Sequence, residues 1–136
     1  MTEQEFFAAV DMAVARWHQD RQGEPLTCLP FDRAVPAHCH DNAEAYVAAH
    51  GGEVVHGFLV EHPHAWTMVW VMPHSVVRTA DGLVDVTLNS EQLRLLSFFW
   101  VVGDSDGFQP LAMRFPRESR PIASALCSRL ERDGIV

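Results

Sequence analysis

The chain has 136 residues, 48% of them hydrophobic, which suits one α+β domain spanning 1–136 that buries its own core without metal or disulfide staples. Its formal charge of −8 offers no concentrated basic surface to nucleic acid or an anionic membrane, and no run of about 18 apolar residues is present to span a bilayer. Three cysteines, Cys28, Cys39 and Cys127, are an odd number set too far apart for a disulfide framework; with a start that lacks the apolar stretch of a secretory signal, they point to a reducing, cytoplasmic setting.

Thr2 followed by Glu5 has the form of a capping box, and Phe6, Phe7, Val10, Ala13, Val14 and Trp17 recur at helical spacing, which predicts a helix over 3–20. Between Gln22 and Pro36 the punctuation by Gly23, Pro25, Pro30 and Pro36 predicts a wrapping loop. A second helix starts at Cys39, with Ala43, Tyr46, Val47 and His50 on one face and Gly51 and Gly52 as its stop. Val54 to Glu61 reads as a strand. After the His62-Pro63-His64 corner, Trp66 to Met72 reads as a strand buried on both faces and ended by Pro73. Ser75–Arg78 and Leu83–Thr87 form a hairpin if Asp81 and Gly82 are its turn. Ser90 is expected to cap a short helical turn and Phe98 to Val102 to form a strand. A last helix is expected over 120–133, started by Pro121, with Cys127 an inert thiol on its apolar face. The sum is helices packed against an antiparallel sheet.

Cys39 is where chemistry attaches to this frame. The unpaired N–H groups of a first helical turn, and the positive end of the helix dipole, favour thiolate over thiol. The same donors can receive the oxyanion formed when an acyl carbon is attacked. A nucleophile needs a base and the base an orienting partner. His74, at the start of one β-like run, and Asp85, in the next, are the candidates.

That order, a cysteine at a helix start, a histidine opening a strand and an aspartate in a D-x-T tripeptide, resembles the transglutaminase-like branch of the papain-like cysteine hydrolases. Those proteins carry His-Ala-Trp and Asp-Pro-Thr type strands; this chain has His74-Ser75-Val76-Val77 and Asp85-Val86-Thr87, the match covering about 37–89. The resemblance implies a papain-like minimal core in which Cys39, His74 and Asp85 form a catalytic triad. Such a triad acts on a peptide, protein or small amide through a thioester, with no cofactor and no metal. With Asp81 and Gly82 as the turn, however, His74 would face Asn89, and Asp85 would lie four residues along the ladder, roughly 13 Å away. A bulge near Pro73 would restore Asp85, so Asp85 is preferred and Asn89 is the alternative third residue.

Papain-like enzymes often use an amide side chain shortly before the cysteine as an oxyanion donor, and here Gln22 is too far upstream. His38, His40 or main-chain donors are then expected in that role. Asn42, one turn beyond Cys39, either binds substrate or ties down the loop. Trp66 and Trp70, at i and i+4 of one strand face, either line an acyl pocket or pack in the core. Two rival readings remain: a non-catalytic binding or regulatory module on the same fold, and a zinc-binding protein using His38, His40, His62, His64 or His74. Against zinc stands the lack of any H-x-x-x-H or C-x-x-C framework.

Overall fold

Thr2 opens the first helix as its sequence requires: its hydroxyl accepts the Glu5 N–H at 3.1 Å, and α1 runs over Glu3–Gln19. The computed structural model describes the chain apart from residues 30, 31, 33, 64–66, 104 and 123–136. Trp66, His64, Cys127 and most of the expected last helix therefore lie outside the described residues. The other elements are β1 (Leu26–Cys28), α2 (Cys39–His50), β2 (Glu53–Glu61), β3 (Met68–Thr79), β4 (Gly82–Asp85), α3 (Ser90–Leu93), β5 (Leu96–Phe99), α4 (Phe108–Arg114) and β6 (Glu118–Pro121). The class is α+β. No helix among the described residues is long and apolar enough to cross a membrane.

The strands form one sheet in the order β1-β4-β3-β2-β5, with β6 also paired to β3. The sheet is not wholly antiparallel, because the segment expected to be a plain loop contributes β1, parallel to β4 with Cys28 opposite Asp85. Arg120 and Pro121, assigned from sequence to a helix, belong to β6, opposite Val69 and Met68. Pro73 does not end a strand either: β3 passes through it in unbroken register with β2, pairing Phe58 with Pro73 and Gly57 with His74.

The flank of β3 away from β2 is shared. β6 covers Met68 to Val71 and β4 covers Val77 to Thr79, which leaves residues 72–76 without a strand on that side among the described residues. This gap positions the site. Side chains alternate across a sheet, so Val69, Val71, Ser75 and Val77 face one way and Met72, His74 and Val76 the other. On the first face α1 buries Phe6, Val10, Ala13 and Trp17 against Phe58, Val60, Val69, Val71 and Phe99. Each such side chain contributes about 1.5–3 kcal/mol by leaving water. Ala43 of α2 packs beside them on Val77, Val84 and Val86. The second face carries Val55, Leu59, Val76 and Phe98, covered by Leu26, Leu83, Leu88 and Leu93.

Candidate active site

Cys39 is the first residue of α2 and half-buried. His38, before it, makes no side-chain cap, and Ala37 holds a left-handed φ of 66°, a conformation that costs a non-glycine residue about 1 kcal/mol. Asn42 holds this entry in place. Its Oδ1 accepts the Val35 N–H at 2.9 Å, and its Nδ2 donates to the Val35 carbonyl at 2.9 Å and to Thr87 Oγ1 at 3.0 Å. With its amide committed and the residue 3% exposed, Asn42 ties down the loop; it is not a substrate or oxyanion group.

His74 and Asp85 meet on the second face, with His74 Nε2 and Asp85 Oδ2 2.7 Å apart. The contact arises from the turn, since no bulge interrupts β3 at Pro73. Thr79 pairs with Gly82 and Val77 with Val84, so Ala80 and Asp81 are the turn residues, one position earlier than the Asp-Gly signal suggests. One step further along that ladder Asp85 faces Val76, which makes His74 its diagonal neighbour on the same face, within reach of two side chains. Asp85 is fully buried, and its Oδ1 accepts the N–H groups of Thr87 at 2.9 Å and Leu88 at 2.8 Å, an Asx turn that ends β4. The D-x-T tripeptide is thus one hydrogen-bonded unit, with Thr87 joined to Asn42.

Asn89, the alternative partner, caps α3 instead: its Oδ1 accepts the Gln92 N–H at 2.9 Å while Gln92 Oε1 accepts the Asn89 N–H at 2.9 Å. It replaces Ser90 as the cap and takes no part in orienting His74.

Cys39 reaches this pair through the gap beside β3. Its thiol is hydrogen-bonded to the His74 imidazole and receives the Ser75 N–H. With Nε2 engaged by Asp85, Nδ1 is the ring nitrogen left to face sulfur. Burial pushes the Cys39 thiol up, but the His74 hydrogen bond and charge, with the Ser75 N–H, outweigh it and hold the thiol below its ordinary value. Burial likewise pushes His74 down, yet hydrogen bonds and charge from Asp85 and Cys39 raise it to about 9. Burial raises Asp85 as well, and the His74 contact with the Leu88 and Thr87 donors brings it below the usual carboxylate range. The arrangement favours thiolate, imidazolium and carboxylate together.

A cleft of about 370 Å³ opens on Cys39, lined also by Ala37, His38, His40, Asp41, Pro73, Gln109, Ala112, Met113 and Pro116. Its outer wall is α4, which the sequence reading passed over. Phe108, Leu111, Ala112 and Phe115 carry the i, i+3, i+4, i+7 stripe that marks it, masked by Pro110, which a first helical turn tolerates. Trp70 does not line this cleft; the Arg117 guanidinium covers its ring at 3.7 Å. Trp66 lies outside the described residues.

His38 and His40 diverge. His38 is exposed beside Asp41, 3.5 Å from its carboxylate, whereas His40 turns toward the sheet, with Nε2 3.3 Å from Glu44 and its ring stacked on His56. His62 packs on Trp17. Among the described residues no three His, Cys, Asp or Glu side chains group as a metal ion requires, and His64 lies outside those residues. No protein-family model, curated protein or solved structure matches the chain.

Proposed function

We propose that the chain is a cysteine-dependent acyl-transfer enzyme, a peptidase, amidase or glutamine deamidase, on a papain-like or transglutaminase-like core. The observation that carries this reading is the unbroken relay from the Cys39 sulfur through His74 to the buried Asp85, at the floor of an open cleft. The Cys39 thiolate attacks the carbonyl carbon of an amide, forming a C–S bond and placing the carbonyl electrons on oxygen. The main-chain donors of the α2 first turn are the groups that receive that developing charge, and Gln109 lines the same cleft. Collapse breaks the C–N bond as the His74 imidazolium gives its proton to the departing amine, leaving a thioester. Water then attacks the thioester while His74 takes its proton; the acid leaves and the Cys39 thiolate and His74 imidazolium are restored.

The cleft lining supports a substrate class. Among the described residues Asp41 is its one carboxylate and no arginine lines it, and Pro73, Ala112, Met113 and Pro116 form an apolar wall. Thiolate, imidazolium and Asp85 together add one further negative charge. Uncharged or cationic amides with an apolar group are favoured over anionic ones. A reducing compartment, which keeps the thiol free, is the setting this chemistry needs. The test is iodoacetamide labelling near neutral pH followed by peptide mass mapping, together with turnover of a panel of fluorogenic amides. Cys39 should label well before Cys28, and Cys39→Ala should turn over nothing; equal labelling, or turnover that survives Cys39→Ala, defeats the proposal.

A further inference from the structure

On the face of β3 opposite His74, a second group of polar side chains is buried directly behind the nucleophile, and the acyl-transfer steps do not use it. Ser75 is 1% exposed, and its Oγ lies 2.8 Å from His56 Nδ1 and 3.5 Å from His40 Nδ1. His56 is itself buried, its ring stacked between those of His40, at 4.9 Å, and Phe108, at 4.7 Å. His40 Nε2 continues to Glu44. Three elements meet here: the first turn of α2 through His40, β2 through His56 and α4, the cleft wall, through Phe108.

Ser75 is also the residue whose main-chain N–H donates to the Cys39 sulfur. It therefore touches the nucleophile with its backbone and, through its hydroxyl, the histidine that follows the nucleophile in sequence. The first turn of α2 lacks a side-chain cap, so its placement depends on tethers. Asn42 anchors the loop side. On the sheet side the same turn is held by the Cys39 sulfur itself and, one residue on, by His40 through Ser75 Oγ. A hydrogen-bond sequence consistent with the atoms runs from His40 Nδ1–H to Ser75 Oγ and from Ser75 Oγ–H to His56 Nδ1, which requires His56 to be neutral. Burial and the adjacent His40 hold it so, at about 4.

We propose that His40, Ser75 and His56 form a positioning network that fixes the Cys39 sulfur in line with His74 Nδ1 and the Ser75 N–H. The proposal rests on the reading of Cys39 as a thiolate nucleophile. The network supplies no proton to the reaction; it sets the position at which the thiolate is stabilised.

The test is the pH dependence of Cys39 alkylation by iodoacetamide in the full chain, with Cys28 as internal reference. Ser75→Ala removes the hydroxyl and leaves the main-chain donor; His40→Ala removes the link to α2; His56→Phe keeps the ring stack and removes Nδ1. Each should slow Cys39 labelling at neutral pH by about fivefold, the worth of one hydrogen bond, and move the labelling midpoint to higher pH while Cys28 is unaffected. His40→Asn, whose amide nitrogen stands where Nδ1 stands and keeps a donor toward Ser75, should recover most of the rate. A merely structural role would lower the unfolding temperature without moving the midpoint, and an unmoved midpoint in all three variants overturns the proposal. If Ser75→Ala does not fold, the more accessible His40→Ala and His40→Asn pair decides the question. Variants that keep the parent's midpoint and amide turnover refute the network alone. A network-dependent thiolate without any amide turnover refutes acyl transfer and leaves the network standing, and a Cys39 that labels no faster than Cys28 refutes both.

Discussion

Replacing Asp85 by asparagine separates charge from shape at the most deeply buried point of the site. The carboxylate serves two clients: Oδ2 holds His74 Nε2 at 2.7 Å and Oδ1 accepts two N–H groups, from Thr87 and Leu88. An asparagine has one oxygen. Turned to satisfy the two main-chain donors, it points its NH₂ at His74 Nε2, which must then be an acceptor; the ring proton moves to Nδ1 and faces the thiol, so His74 can no longer take a proton from Cys39. Turned the other way, it sets NH₂ against two N–H groups, leaving buried donors unsatisfied at about 1–3 kcal/mol each. The first orientation wins. His74, raised from 6.5 to about 9 in the parent, carries roughly 3 kcal/mol of preference for the imidazolium, and the part that Asp85 supplies disappears with the charge. The thiolate population should fall about 10²-fold, and kcat/KM for an amide about 10²- to 10⁴-fold once the wrong tautomer is included. Steady-state kinetics and alkylation rates against pH measure both. An Asp85→Asn variant within tenfold of the parent in both assays would refute the claim that Asp85 sets the tautomer, and with it the role given to the D-x-T unit.

Removing Cys39 should unmask an opposed pair of pH dependences. His74 has its folded value above the unfolded one, so its stabilisation is complete below pH 6.5 and lost as pH rises through about 9; Cys39, lowered from 9.0, contributes in the opposite sense, gaining as pH rises toward 9.0. Between pH 6.5 and 9 the parent should therefore show a flatter unfolding free energy than Cys39→Ala, which should lose stability with rising pH; denaturant titrations showing equal slopes would contradict this. Asn42→Ala leaves the Val35 N–H and carbonyl without their side-chain partners and should cost about 2–3 kcal/mol by denaturant unfolding, a loss under about 0.5 kcal/mol showing that the loop is held by something else. Gly57 lies opposite His74, and a Cβ there would stand 2.7 Å from the Phe98 ring on which the imidazole packs. Gly57→Ala should cost about 2 kcal/mol or more and slow Cys39 alkylation together, and an unchanged melting temperature would show that the floor of the site yields freely.

Much of this was legible because it is local. Thr2 and Glu5 start α1, the Phe6 to Trp17 stripe marks the buried face of α1, and Gly51 ends α2, each within a few residues of chain. Cys39 at a helix start and the D-x-T tripeptide carry their meaning in the same way. What was misread depends on register. The Asp81-Gly82 signal placed the turn one residue late, because Thr79 Oγ1 accepts the Asp81 N–H and donates to the Gly82 carbonyl, closing the turn around Ala80 and Asp81. That single step moved the ladder by two residues, carrying Asn89 off the position opposite His74 and bringing Asp85 from four residues away to its diagonal, although Asn89 and Gln92 spell a capping box in plain sequence. β1 was hidden in a segment crowded with prolines, since it is three residues long and exists through its parallel pairing with β4. The His40, Ser75 and His56 group had no signal at all: its members come from α2, β3 and β2 and meet only once Ser75 is paired with His56 across the sheet.

The thiolate itself can be observed directly. In a chain reduced to Cys39 alone by Cys28→Ser and Cys127→Ser, thiolate ultraviolet absorbance followed against pH should show a Cys39 midpoint below 9.0, and His74→Ala should return it upward. A midpoint at or above 9.0 in the parent, or one indifferent to His74→Ala, would mean that sulfur and imidazole do not form the pair on which the proposed chemistry depends.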